Sequence, residues 1–297
     1  MTTPPYLKKG DKIGIVAPAR KISKEEVQFA VDTFEKWGLK VILGKNIFGA
    51  EDQYSGSDEQ RAEDMQAMLD DDSIKAIISA RGGYGALRII DNLNFKKFQE
   101  KPKWIIGYSD ITILHSHIHQ NFGIETVHAP MAINFHKDDE SVVSLKKILF
   151  GEKITYSIAG SDLNRAGKCE GLFVGGNLSL LYALKGSRSG ISTSGKILFI
   201  EDLDEYLYHI DRMFVSLKRA GKLSHLEGLV VGGMTDMKDN QVPFGKTAEQ
   251  IILDAVKEFD YPVCFGFPAG HTPKNLALPF GRRAKLKVVS KSTVLSF

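Results

Sequence analysis

The chain has 297 residues, 43% hydrophobic and 25% charged, a balance that excludes a disordered, collagen-like or membrane-embedded polymer. Lysine and arginine number 39 against 36 aspartate and glutamate and are interspersed, so no basic stripe invites nucleic acid. Cys169 and Cys264 are too few and too far apart for a metal knuckle or a disulfide framework, and both are expected reduced and buried. No stretch approaches about 18 apolar residues, and no apolar segment follows the lysines of residues 1–10. A soluble, intracellular protein with no membrane partner is expected.

Taken in order, residues 12–18 read as a short buried strand closed by Pro18. Ser23 with Glu26 three residues later forms a capping box, and Val27, Ala30, Val31 and Phe34 follow at helical spacing until Gly38. Residues 41–43 are a second strand and 44–56 a polar, Gly-rich loop. Ser57 with Gln60 opens another capped helix. Strand 74–79, a helical piece over 87–98, strand 103–106, helix 110–120 and strand 125–128 complete this half. Strands alternating with helices predict a parallel, doubly wound α/β sheet, in which ligands sit beyond the carboxyl ends of the strands.

Between about 150 and 170 the pattern lapses, punctuated by Gly151, Gly160 and Gly167, and the domain junction is expected here. The second half is again mixed α/β with shorter elements. Residues 171–178 lead into a helix through Leu184, strand 196–200 runs into acidic residues 201–205, and a helix spans 206–220. Strand 226–231 ends in Gly232-Gly233, a helix covers 246–259, and strands occupy 263–265 and 283–289. There is no internal repeat.

Within this frame, Gly107-Tyr108-Ser109-Asp110-Ile111 joins a strand to a helix with serine at the apex. A tight turn there would push the hydroxyl out of the sheet beside a helix N-terminus, where free N–H groups stabilise an oxyanion. The same serine also suits a simple helix N-cap. Ser79-Ala80-Arg81-Gly82-Gly83-Tyr84-Gly85 likewise follows a strand and opens a helix. It meets neither dinucleotide nor P-loop spacing. An oxyanion hole, with N–H groups from Gly83 and Asp110, and a plain tight turn are both open readings.

His115, His117 and His119 alternate along a helix, so they share no face and make a poor metal site. His271, on the Gly/Pro-framed loop 266–273, is a candidate base, with an exposed loop histidine as the alternative. Glu201, at the carboxyl end of strand 197–200, could orient an imidazole through Nδ1–H; Asp202, Asp204 and Glu205 are rivals. An acidic metal site is also conceivable but lacks an ordered ligand spacing. Serine, glutamate and histidine in that order, with paired backbone donors, meet the needs of acyl transfer.

Several motifs in order resemble those of the LD-carboxypeptidases, the serine peptidase family that also includes the microcin C self-immunity proteins. They are Lys9-Gly10-Asp11-Lys12-Ile13 with Ala17-Pro18, Ala80-Arg81-Gly82-Gly83-Tyr84-Gly85, Gly107-Tyr108-Ser109-Asp110, Glu170-Gly171, Gly175-Gly176-Asn177-Leu178, Leu198-Phe199-Ile200-Glu201-Asp202, and Gly270-His271 with Pro279-Phe280-Gly281. The resemblance runs from about Leu7 to about Leu286.

It implies an α/β enzyme whose residues 1–155 form a flavodoxin-like domain, close to the class I glutamine-amidotransferase arrangement, and carry Ser109. Residues 156–167 would be the junction. Residues 168–297 would form a smaller, swivelling β/α barrel-like domain carrying Glu201 and His271. The implied catalytic set is Ser109, Glu201 and His271, with Gly83 and Asp110 as oxyanion donors. By charge alone, Arg20 and Arg81 are candidates to hold the substrate's terminal carboxylate, with a structural role the alternative, and Tyr84 is a candidate substrate contact. No cofactor or metal is implied. The implied activity removes the terminal D-alanine from a murein tetrapeptide, for peptidoglycan recycling in the cytoplasm, by a homodimer.

Two positions depart from the family pattern: Ala19-Arg20 replaces a Ser-rich loop, and Ala129 stands where Gly is usual. The immunity branch, which acts on aminoacyl or peptidyl adenylate analogues, stacks a nucleobase on a C-terminal-domain tryptophan; here Trp37 and Trp104 are both N-terminal. A non-catalytic ligand-binding module is the remaining alternative.

Overall fold

The structure, a computed structural model, describes residues 1–289 and 291–297. The first half alternates β1 (Lys12–Val16), α1 (Lys24–Lys36), β2 (Lys40–Leu43), α2 (Asp58–Asp70), β3 (Ile74–Ser79), α3 (Ala86–Ile89), α4 (Lys96–Glu100), β4 (Trp104–Gly107), α5 (Thr112–Phe122), β5 (Thr126–His128) and α6 (Asp139–Leu149). The second half runs β6 (Thr155–Ala159), β7 (Gly167–Asn177), α7 (Leu178–Ala183), β8 (Lys196–Leu203), α8 (Leu207–Arg219), β9 (Gly228–Thr235), α9 (Ala248–Ala255), β10 (Val263–Cys264), β11 (Leu278–Phe280), β12 (Arg283–Val289) and β13 (Ser292–Ser296).

Among the described residues two sheets form. In the first, order β11-β5-β4-β3-β1-β2, β1 to β5 are mutually parallel. The second has order β10-β9-β8-β7-β12-β13-β6, parallel from β10 to β7 and antiparallel beyond. The parallel strands carry continuous apolar runs because both faces are covered, and Ile13, Ile78 and Val230 are fully enclosed. Both expected capping boxes form: Ser23 Oγ accepts from Glu26 N–H while Glu26 answers the Ser23 N–H at 2.8 Å, and Ser57 and Gln60 do the same.

Four differences from the sequence reading have local causes. The helical piece over 87–98 is broken in two, because Asn94 turns the chain by accepting from the Lys96 N–H at 2.9 Å. Strand β9 continues through Gly232-Gly233, where a Cβ on Gly232 would lie 2.5 Å from the Ala269 carbonyl oxygen. Residues 139–149, unassigned from sequence, form α6 behind an Asp138 N-cap. The expected junction begins inside β6, which pairs with β13 at the far edge of the second sheet.

The two sheets are tied together. β11, late in the chain, closes the first sheet antiparallel to β5. Phe280 on β11 packs 6.0 Å from Phe173 and 6.1 Å from Phe199 of the second sheet, within one apolar cluster. Arg282 then pairs with the buried Glu125 at 2.8 Å. Cys264 is buried as expected, whereas Cys169 is half-buried. Among the described residues no helix is long and apolar enough to cross a membrane.

Candidate active site

Five strand ends open onto one cleft. After β3 comes the loop 80–85 and after β4 Ser109; Asn177 ends β7, Glu201 and Asp202 lie in the last residues of β8, and after β10 comes the loop carrying His271. The cleft holds about 480 Å³ and is lined by Ser109, His271, Gly83 and Asp202 among others. This is the carboxyl-end position expected for ligands of parallel sheets.

The turn after β4 is sharp. Gly107 has φ +156°, where a Cβ would meet Ile111 at 2.8 Å. Ser109 itself has φ +60°, an unusual value for a non-glycine residue. It opens a short 3₁₀ turn, residues 109–111, that runs into α5. The strained turn leaves Ser109 partly exposed on the cleft while Tyr108 and Asp110 on either side are buried. Ser109 is therefore not an N-cap: the cap positions are Tyr108 for the 3₁₀ turn and Ile111 for α5, and Ser109 lies inside the turn.

The glycine loop lies against the serine. A Cβ on Gly82 would come 3.2 Å from Ser109 Cβ and 3.4 Å from its Oγ. Gly83, at φ +114°, offers a backbone N–H with no hydrogen-bond partner among the described residues. The Asp110 N–H lies in the first turn of a helical segment, where N–H groups lack an internal acceptor. Asp110's side chain turns away from the cleft: its Oδ2 accepts from the Ala86 N–H at 2.7 Å, clamping the glycine loop to the serine turn. Burial, opposed by that N–H and by Arg61, pushes its pKa up to about 6.

Glu201 is fully enclosed. The β8–β9 register slips between Ile200 and Asp202, which re-aims the strand end. Glu201 Oε2 accepts from His271 Nδ1 at 2.6 Å and from the His271 backbone N–H at 3.1 Å. Nδ1–H is thereby the donor, leaving Nε2 as the free acceptor of a neutral ring. The approach depends on Gly270, at φ +101°, where a Cβ would lie 2.6 Å from Glu201 Cβ. Tyr108 packs on the imidazole at 4.9 Å between centroids. Burial disfavours the imidazolium, but the hydrogen bond and charge of Glu201, helped by Asp202, outweigh it and hold the pKa above the ordinary histidine value. Ser109 and His271 line the same cleft; among the described residues no hydrogen bond yet joins them.

Arg20, Arg81 and Tyr84 line the cleft as well. Arg20 folds across Gly83, its Cδ 2.5 Å from where a Cβ would stand. Arg81 lies 3.7 Å from Glu26. Tyr84 is 44% exposed at the rim. Sequence reasoning treated Asp202 only as a rival to Glu201. It is instead a buried anchor of the cleft wall, accepting from Asn177 Nδ2 at 2.9 Å and from the Ser179 N–H at 3.0 Å. Burial, then the neighbouring Glu201 charge, raise its pKa to about 7. Asn134, the last residue of a short 3₁₀ turn over Ala132–Asn134, and Lys137, just beyond it, also line the cleft, and neither gave a signal in sequence.

The three helix histidines are separately accommodated: His115 Nε2 bonds the Gly107 carbonyl at 2.9 Å, His117 Nδ1 meets Ser189 Oγ at 2.8 Å, and His119 Nε2 meets Lys196 Nζ at 2.9 Å. Among the described residues no group of three or more His, Cys, Asp or Glu side chains is arranged to hold a metal.

Comparison with known proteins decides the family. The profile of the LD-carboxypeptidase N-terminal domain matches residues 13–129, and that of the LD-carboxypeptidase C-terminal domain matches residues 170–286. The chain belongs to the LD-carboxypeptidase family. It is accordingly a hydrolase, a serine-type peptidase. A probable murein peptide carboxypeptidase from Bacillus subtilis (strain 168) is 37% identical over 98% of this chain and 93% of its own length. A muramoyltetrapeptide carboxypeptidase from Oxalobacter formigenes, solved by crystallography, superposes with a TM-score of 0.86 at 25% identity, covering 96% of this chain and 98% of its own. The microcin C7 self immunity protein MccF, solved in complex with aspartyl sulfamoyl adenosine, superposes with a TM-score of 0.87 at 23% identity, covering 99% of this chain and 98% of its own. At that identity the likeness is one of fold.

Proposed function

We propose that this LD-carboxypeptidase removes the terminal D-alanine of a murein tetrapeptide through Ser109, His271 and Glu201. The observation that carries the reading is the Glu201–His271 pair, 2.6 Å apart and walled by Tyr108, opening on the cleft that also holds a serine at positive φ. Ser109 Oγ attacks the carbonyl of the L-centre while His271 Nε2 takes its proton. The N–H groups of Gly83 and Asp110 hold the oxyanion. His271 passes the proton to the departing D-alanine amine, the C–N bond breaks, and water then resolves the acyl-enzyme by the reverse path.

The strand order β2-β1-β3-β4-β5 supports a flavodoxin-like, amidotransferase-like first lobe built mainly from residues 1–155 and completed by β11; the second lobe, which we infer to be the barrel-like unit, takes most of residues 168–297 together with β6. We further infer that the enzyme serves peptidoglycan recycling as a cytoplasmic homodimer. The test is acylation. A serine-directed acylating reagent should add one equivalent at Ser109, read by peptide mass spectrometry, and should abolish D-alanine release. Adduct formation elsewhere with activity retained would overturn the assignment.

The likeness to MccF motivates a second substrate, an aminoacyl sulfamoyl adenosine. Neither tryptophan supports it: Trp104 is fully buried against Tyr6 and Arg282, and Trp37 packs on Phe34, both away from the cleft. Parallel assays should favour the tetrapeptide.

A further inference from the structure

A second cavity of about 500 Å³ adjoins the cleft and shares His271 with it. Tyr108, Asn134, Lys137, Leu203 and His271 line both spaces, whereas Ser109 lines only the cleft. His271 therefore stands at the boundary between the nucleophile and a separate chamber.

The chemistry of acyl transfer assigns these two spaces different halves of the substrate. The group that takes the serine proton also hands a proton to the leaving amine, so the leaving residue must lie beside His271. A residue as small as alanine offers little apolar surface to recognise, and its distinguishing feature is a free carboxylate. A carboxylate is recognised by a cation that has no other partner.

Lys137 is such a cation. Its backbone N–H closes a turn on the Asn134 carbonyl at 2.9 Å, and its ammonium makes no hydrogen bond or ion pair among the described residues. The neighbouring charges are committed elsewhere. Asp138 accepts from the Ser141 N–H at 2.8 Å as the cap of α6, and Lys274 pairs with Glu140. The Lys137 charge is close enough to oppose protonation of His271. The other cleft cations are differently placed: Arg81 faces Glu26, and Arg20 covers Gly83 beside the oxyanion donors.

We propose that the chamber beside His271 receives the departing D-amino acid and that Lys137 binds its carboxylate, making this residue a determinant of carboxypeptidase over endopeptidase specificity. The proposal rests on the hydrolytic reading above. Asn134, with a buried side-chain oxygen that lacks a partner, is positioned on the same wall to meet the ammonium or amine side of the leaving residue.

The experiment compares the full-length enzyme with Lys137→Met and Lys137→Arg on two peptides: a murein tetrapeptide with a free terminal D-alanine, and the same peptide ending in D-alaninamide. Lys137→Met should raise KM for the free acid by roughly ten-fold or more, the loss of one charge-assisted contact, with kcat within about three-fold. It should leave the amide nearly unchanged and weaken inhibition by added D-alanine to the same degree, and Lys137→Arg should restore most of both. Equal losses on acid and amide, unchanged D-alanine inhibition, or an acid-selective loss in Arg20→Met instead would overturn the proposal while leaving the serine mechanism intact. A wild-type enzyme that turns over neither peptide and takes no acyl group at Ser109 would overturn the hydrolytic reading, and this proposal with it.

Discussion

Glu201 and His271 are joined twice through one oxygen: Oε2 accepts both the ring Nδ1–H, at 2.6 Å, and the His271 backbone N–H, at 3.1 Å. The carboxylate thus fixes the ring's tautomer and the loop's position together. Glu201→Ala should lower kcat by about 10⁴, and Glu201→Gln by about 10³ or more, because an amide keeps the packing but not the charge that supports an imidazolium. Steady-state kinetics with circular dichroism to verify folding would check this; a loss below ten-fold would exclude Glu201 as the orienter.

The pH profile follows from the same pair. A general base must be neutral in the free enzyme, so kcat/KM should rise with pH through the His271 pKa, which lies above the ordinary histidine value because Glu201 and Asp202 favour the charged ring against burial. The acid limb should therefore sit above about pH 6.5. In Glu201→Gln it should move to lower pH, since the raising interaction is gone while the burial remains. A limb that stays in place in the variant would assign it to another group, with Asp202, titrating near 7, the first to test.

In the proposed mechanism Asp110 donates from its backbone, whereas its side chain clamps the Ala86 N–H, so the two roles are separable. Its pKa is raised to about 6 by burial, so its contribution to stability is greatest below the unfolded value near 3.8 and is lost as pH rises through about 6. At neutral pH the buried charge is a cost. Asp110→Asn, which keeps an oxygen for the Ala86 N–H, should stabilise the protein at pH 7.5 by on the order of 1–3 kcal/mol, with little gain at pH 4. It should retain kcat within about ten-fold. Asp110→Ala should lose the clamp and activity. Denaturant melts at the two pH values are the measurement.

Close backbone packing between β7 and β8 predicts an intolerant glycine. A Cβ on Gly175, at φ +145°, would lie 1.8 Å from the Phe199 carbonyl oxygen, a backbone atom that cannot yield. Gly175→Ala should cost more than about 4 kcal/mol or abolish soluble expression. Gly186→Ala, with open space around the Cβ but a positive φ of +85°, should cost only about 1 kcal/mol.

What was legible in the sequence is what is local. The capping boxes at Ser23 and Ser57, the strand-to-helix turn at Ser109 and the acidic end of β8 are written in a few adjacent residues. The break in the helix at Asn94 was missed because helical spacing of apolar residues persists across it. The capture of β11 by the first sheet was not legible either. A three-residue strand containing Pro279 carries almost no strand signal, and its partner β5 lies some 150 residues earlier in the chain. Lys137 fell outside every motif because its significance is positional, set by the cavity that meets the cleft at His271. Strand β6, at the start of the stretch where glycine spacing suggested a junction, was not legible, since an edge strand of alternating exposed residues resembles a loop in composition.

The most direct test is D-alanine release from a murein tetrapeptide by purified wild-type enzyme and by Ser109→Ala. The serine mechanism predicts release by the wild type and a drop in kcat on the order of 10⁶-fold in the variant, with folding unchanged. Release by Ser109→Ala at a rate near that of the wild type would contradict it.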